Sequence, residues 1–189
     1  MRSSYKENKY NNVFKSIVFT VNPSLIVEFG ILDGYSLESF AESSGIETQI
    51  MAYDIFEDFP YNSANFENIS KKFEKYKNVS IHRGDFFKAD TSFSDGQIDL
   101  LHVDIANNGD VFKHTLDKYM DKVSKNGICI LEGGSIERDD VVWMEKFNKP
   151  KIHPIINEAK IRYDILVLED YPSITLIKHR GENNETSGR

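Results

Sequence analysis

Apolar residues along this chain alternate between two rhythms, short unbroken runs and stripes that recur every third or fourth position. The runs predict buried strands and the stripes predict amphipathic helices. Tyr10, Val13, Phe14, Ile17, Val18 and Val21 give a leading helix over residues 4–21, stopped before Asn22-Pro23. A first strand follows near 24–29, then a helix over 35–44 closed by Gly45, and a second strand from Gln49 to Asp54. Phe66, Ile69, Phe73 and Tyr76 stripe the next helix, and Val79-Ser80-Ile81-His82 forms a third strand. Ile98 to Val103 is a fourth strand. The helix after it carries Val111, Phe112, Leu116, Tyr119, Met120 and Val123 inward and ends at Asn126-Gly127. Ile128 to Glu132 is a fifth strand and Arg138 to Phe147 the helix behind it.

Strands that alternate with helices require a parallel sheet covered on both faces. The end of the chain breaks that alternation. Tyr163 to Leu168 and Ser173 to Lys178 are separated only by Glu169-Asp170-Tyr171-Pro172, too short for a parallel crossover. They form a hairpin, so one edge strand runs antiparallel. The expected fold is a doubly wound, Rossmann-like α/β sheet of seven strands, mostly parallel, with an antiparallel C-terminal hairpin. The expected organisation is an N-terminal helical extension (1–22), one ligand-binding domain (23–180) and a polar, disordered tail (181–189). The stripe of the leading helix must be buried, either over the site or in a homodimer contact.

Composition narrows the function. The chain has 189 residues, 40% apolar and 28% charged, with a net charge of −7 and no basic run, which argues against a nucleic-acid partner. Its one cysteine, Cys129, lies in an apolar run and is expected to be a buried thiol in a reducing, cytoplasmic setting. No apolar stretch is long enough to span a bilayer, and the first residues are too polar for a signal peptide.

Candidate chemistry gathers at the carboxyl ends of the strands, where open α/β sheets bind ligands. Each of the first five ends carries an acid: Glu28, Asp54, Asp85, Asp104 and Glu132. In Glu28-Phe29-Gly30-Ile31-Leu32-Asp33-Gly34-Tyr35-Ser36 a buried strand turns tightly into a helix. Two glycines give backbone access there, and Ser36 holds the helix start. Asp54 is placed to grip the hydroxyls of a ribose, and Asp85 with Phe86 to take an adenine amino group and cover its ring. Asp104, at the centre of the rim, orients a substrate, binds a metal or meets a cofactor's amino group. A helix cap, a turn residue and a loop cap are the plain structural alternatives for these three.

Glu28-x-Gly30-x-x-x-Gly34-Tyr35-Ser36, then Asp54, then Gly84-Asp85, resembles the cofactor site of class I S-adenosylmethionine-dependent methyltransferases. The Gly-Tyr-Ser spacing is most similar to the branch of catechol-type and sugar-type O-methyltransferases. The resemblance implies S-adenosylmethionine as cofactor and a small-molecule acceptor, a hydroxyl of a sugar or related metabolite. It places Glu28, Gly30 and Gly34 at the methionine end, Asp54 on the ribose, and Asp85 with Phe86 on adenine. Asp104 then lies near the methionine or the acceptor. It also implies a seventh strand inserted antiparallel between the fifth and sixth. Leu32 departs from the G-x-G-x-x-G of nicotinamide dehydrogenases. A cofactor-binding protein without turnover and a dinucleotide oxidoreductase are the alternative readings.

The pattern breaks at two places. Metal-dependent relatives hold a divalent cation such as Mg²⁺ between an acid after the fourth strand and an acid pair after the fifth. Here Asp104 and Glu132 stand at those positions, but Gly133 follows Glu132, and two carboxylates make a poor octahedral site. The second acid of sugar-type relatives is replaced by Ala106. Candidate catalytic residues are Asp104, Glu132 and His102. The candidate bases are His102, His114 and Glu132, with Glu132 opening onto space left by its glycines and His102, expected to face away from the rim, reading better as a satisfied core histidine. His114 reads as solvated. The rings of Phe56, Phe59 and Tyr61 form a candidate lid or interface.

Overall fold

The computed structural model describes residues 3–59, 62–170 and 172–181. Tyr61, one ring of the expected lid, and the expected disordered tail from 182 onward lie outside the described residues.

Seven strands form one sheet: β1 (Leu25–Phe29), β2 (Gln49–Asp54), β3 (Val79–Arg83), β4 (Ile98–Val103), β5 (Val123–Glu132), β6 (Tyr163–Leu168) and β7 (Ile174–His179). Their order is β3-β2-β1-β4-β5-β7-β6. The first five run parallel, and β7 lies antiparallel between β5 and β6, as the hairpin requires. β1 is buried at every residue, which suits a central strand covered on both faces. Strand order reverses between β1 and β4, so the crevice above their carboxyl ends is the sheet's natural ligand position.

Two apolar clusters cover the two faces. One joins Leu101, Val103, Phe112, Tyr119 and Cys129 with Ile152 and Ile156. The other joins Ile26, Leu37, Phe40, Leu100 and Ile130 with the N-terminal residues Tyr5, Tyr10, Phe14 and Val18. The leading helix α1 (Tyr10–Val21) thus buries its stripe inside its own chain, against α2 (Tyr35–Ser43) and the sheet. It starts later than periodicity predicts. Lys9 adopts a left-handed φ of 53°, and Ser4–Lys6 forms a separate tight helical turn.

Other differences share one cause, local breaks that periodicity does not report. The helix expected to run on to Asn126-Gly127 is α4 (Gly109–His114), followed by irregular helical turns to Lys122. β5 begins at Val123, because Asn126-Gly127 is absorbed into the strand where its register with β4 shifts. The single helix expected over Arg138–Phe147 is two short ones, α5 (Ile136–Asp139) and α6 (Val142–Lys146). A further helix, α7 (His153–Ala159), is started by Asp139, whose carboxylate accepts from Ile152 N at 2.6 Å and His153 N at 2.8 Å.

β1 and β4 close up tightly at their ends. Gly30 has φ +91°, and a Cβ there would stand 1.9 Å from the carbonyl oxygen of Asp104. Gly30→Ala must therefore part the two strands or twist the turn, at a cost of about 2 kcal/mol or more. Urea denaturation measures this; an alanine variant as stable as the wild type would show that the two ends are not locked together.

Candidate active site

The turn after β1 is shaped by three left-handed residues, Gly30 (φ 91°), Leu32 (φ 50°) and Gly34 (φ 77°). A leucine in that region is strained, and strain of this kind concentrates at functional turns. Gly34 also lies against the Phe73 ring of α3 (Phe66–Phe73), where a Cβ would come within 2.6 Å. The turn is thus wedged between β4 on one side and α3 on the other.

Glu28, one residue before the end of β1, is fully buried. Its Oε1 accepts from Ser36 Oγ at 2.5 Å and lies 2.9 Å from His102 Nδ1. Its Oε2 is buried with no hydrogen-bond partner. A buried carboxylate oxygen without a donor is costly, and such an atom in a folded chain calls for an explanation, of which a ligand is one. Asp33 Oδ1, in the same turn, is likewise buried and unpartnered.

His102 is as buried as Glu28, with rings of Tyr5, Phe14 and Phe40 around it. It is the satisfied core histidine of the sequence reading. Asp104, the first residue past β4, lies two positions further on, and both are close to Tyr5. The Tyr5 hydroxyl lies 3.4 Å from His102 Nε2, and burial and then the nearby Asp104 carboxyl raise the phenol's pKa. With both ring nitrogens engaged inside the protein, His102 holds Glu28 and is poorly placed to be the base.

Asp54 is also held by the chain. Its Oδ2 accepts from Ile31 N at 2.7 Å, and its Oδ1 accepts from Phe56 N at 2.7 Å and Asn62 Nδ2 at 2.6 Å. It fixes the glycine turn to the end of β2, leaving little of the carboxylate for a ribose. Asp85 accepts from Phe87 N at 3.0 Å and pairs with Lys88, so it builds its own turn. Phe86 is a core residue, stacked on Tyr119 with ring centroids 5.0 Å apart, and cannot cover a ligand. Its neighbour Phe87 is exposed and lies 4.9 Å from the His114 ring. His114 is half-buried rather than solvated, and burial lowers its pKa. Phe56, too, is buried, so the expected lid of rings is partly core.

Glu132 meets a residue that sequence reasoning missed. Arg138 donates Nε to Glu132 Oε1 at 2.7 Å and Nη2 to Oε2 at 2.9 Å, and reaches the carbonyl of Asn107 at 2.9 Å. Its guanidinium also lies over the Trp143 ring. Asn107 in turn bridges the carbonyls of Val103 and Glu132, tying the ends of β4 and β5 together. An acid followed six positions later by arginine across a glycine turn was the available signal. Gly133 and Gly134, both left-handed, do not open space as expected. They let the turn pack against Arg138 and Thr175.

This arrangement does not fit a divalent cation. Both oxygens of Glu132 already hold a guanidinium, and among the described residues no three His, Cys, Asp or Glu side chains cluster as a metal site. Asp104 lies beside Glu132 at this rim. Withdrawal from water, and then the nearby charge of Glu132, raises its pKa to about 7.

A family model described as a methyltransferase domain matches residues 27–132, from β1 through β5. The chain belongs to that methyltransferase family. No curated protein matches this methyltransferase by sequence. Solved structures share its fold. A Podospora anserina methyltransferase with S-adenosylhomocysteine bound is 19% identical, with a TM-score of 0.66 over 96% of this chain and 80% of the other. The O-methyltransferase TomG from Streptomyces achromogenes, involved in tomaymycin synthesis and in complex with S-adenosylmethionine, is 13% identical. Its TM-score is 0.66 over 92% of this chain and 80% of its own. A Geobacter sulfurreducens methyltransferase is 15% identical, with a TM-score of 0.65 over 94% and 84%. Membership of this family removes the dinucleotide oxidoreductase reading. No helix among the described residues is long and apolar enough to cross a membrane.

Two outcomes follow from the methyltransferase's rim. Arg138→Met leaves Glu132 buried beside no cation and should cost about 3–5 kcal/mol, most of it regained in Arg138→Met/Glu132→Met. Denaturant unfolding of both variants checks this, and an equal loss in the two would count against the pair. For Asp104, a folded pKa near 7 against an ordinary 3.8 means that the folded chain keeps a proton the unfolded chain has released. That contribution is full below about pH 4 and is lost as pH rises to about 7. Thermal melts across this window should show the wild type losing Tm relative to Asp104→Asn; parallel curves would place the carboxyl in water.

Proposed function

We propose that this protein transfers the methyl group of S-adenosylmethionine to a hydroxyl oxygen of a small molecule. The observation that carries this reading is the buried, unpartnered Oε2 of Glu28 beside the strained glycine turn, at the point where strand order reverses. An ammonium group is the ligand chemistry that satisfies such an oxygen. S-adenosylmethionine, when bound, supplies the amino group for that contact and the electrophilic methyl for transfer.

Each residue then has a task. Glu28 holds the amino end, itself aimed by Ser36 and His102. Asp54 shapes the turn rather than gripping the ribose with a free carboxylate, leaving one lone-pair direction for a hydroxyl. Phe87, in place of Phe86, offers a ring face to adenine. Asp104, with a pKa near neutrality, takes the proton from the acceptor hydroxyl. Glu132 and Arg138 wall the acceptor side as a fixed pair, and most of the rate comes from positioning. A sugar or related metabolite as acceptor rests on the spacing of Gly34-Tyr35-Ser36.

Calorimetry with S-adenosylmethionine and S-adenosylhomocysteine tests the reading. Glu28→Gln turns the unpartnered oxygen into a donor that opposes an ammonium, so affinity for both should fall at least roughly tenfold. Unaltered affinity in a folded variant would remove Glu28 from the cofactor site. Wild-type protein that binds neither compound would overturn the function.

A further inference from the structure

The crevice above the ends of β1 and β4 is crossed by the N-terminal segment Ser3–Lys6. On the β1 side, Asp33 in the glycine turn accepts from Ser3 N at 3.3 Å and from Lys6 Nζ at 2.9 Å through the same oxygen. Lys6 also lies over the ring of Tyr35, at the start of α2. On the β4 side, Tyr5 reaches His102 and Asp104. The phenol is 1% exposed, although no secondary structure longer than one turn carries it. Behind it, edge-on contacts with Tyr10 and Phe14 seat the ring on α1.

We propose that Ser3–Lys6 is the lid of the cofactor crevice, with Tyr5 as its inner wall and positioning residue and the Lys6–Asp33 pair as its latch. This rests on the reading of the crevice as the S-adenosylmethionine site. Glu28 is fully buried, and Tyr5 caps the histidine that holds it, so a ligand whose amino group meets Glu28 must displace this segment on the way in. Its two anchors differ in strength. The latch is a half-exposed ion pair, weak in water, whereas the phenol is buried among polar partners. The left-handed Lys9 separates the segment from α1, so the chain can swing there without unwinding the helix. The lid therefore opens from the Lys6 side, and Tyr5 returns to Asp104 once the ligand is seated.

A lid governs entry and exit alike, which separates it from an ordinary contact. Association and dissociation rate constants for S-adenosylhomocysteine are measured on the immobilised full chain by surface plasmon resonance. Lys6→Ala should raise both by about twofold to fivefold while Kd stays within about twofold. Tyr5→Phe should raise both by about tenfold. Lys15→Ala, which breaks a comparable pair with Glu42 between α1 and α2, should leave both at wild-type values. Melting temperatures confirm that each variant is folded. Rates indifferent to Lys6 and Tyr5, or a faster dissociation with association unchanged, would overturn the lid while the binding site stands. A wild-type chain that does not bind S-adenosylhomocysteine at all would instead overturn the site and the lid with it.

Discussion

A carboxylate at the middle of a covered sheet must be met by donors, and Glu28 organises the molecule around that requirement. Ser36 comes from the first turn of α2 and His102 from the neighbouring strand β4. His102 needs a partner for its other nitrogen, which brings in Tyr5 and with it the N-terminal segment. One buried acid thus fixes the helix that follows the glycine turn, the strand beside it and the covering segment. A single oxygen of Glu28 is left unpaired in this network.

Charge around the crevice is unbalanced. Glu28, Asp104 and Glu132 crowd together, and only Glu132 has a guanidinium against it. Burial, and then this crowding, raises the pKa of Asp104 to about 7. Arg138 holds both oxygens of Glu132, which makes that carboxylate a structural post.

The fold was largely legible because its signals are short-range. Continuous apolar runs gave the strands, and the four residues between the last two forced an antiparallel pair. The acids at the strand ends were found for the same reason. What remained hidden depends on pairs distant in sequence. Glu28 and His102 are 74 residues apart, and nothing local distinguishes a tyrosine at position 5 that fills a crevice from one on a solvated terminus. Phe86 and Phe87 illustrate the limit at close range. Adjacent residues with identical side chains differ only in which way the turn sends them, one into the core and one out.

The placement of β7 has a consequence for how the molecule comes into being. The backbone of Gly133 bonds to Ser173, and Thr175 bonds back to Gly133, so the turn carrying Glu132 is fastened by residues near the end of the chain. During synthesis β5 waits with one edge bare until those residues leave the ribosome. Until then a nascent chain presents an apolar strand to its neighbours, the hazard that edge strands carry in any sheet.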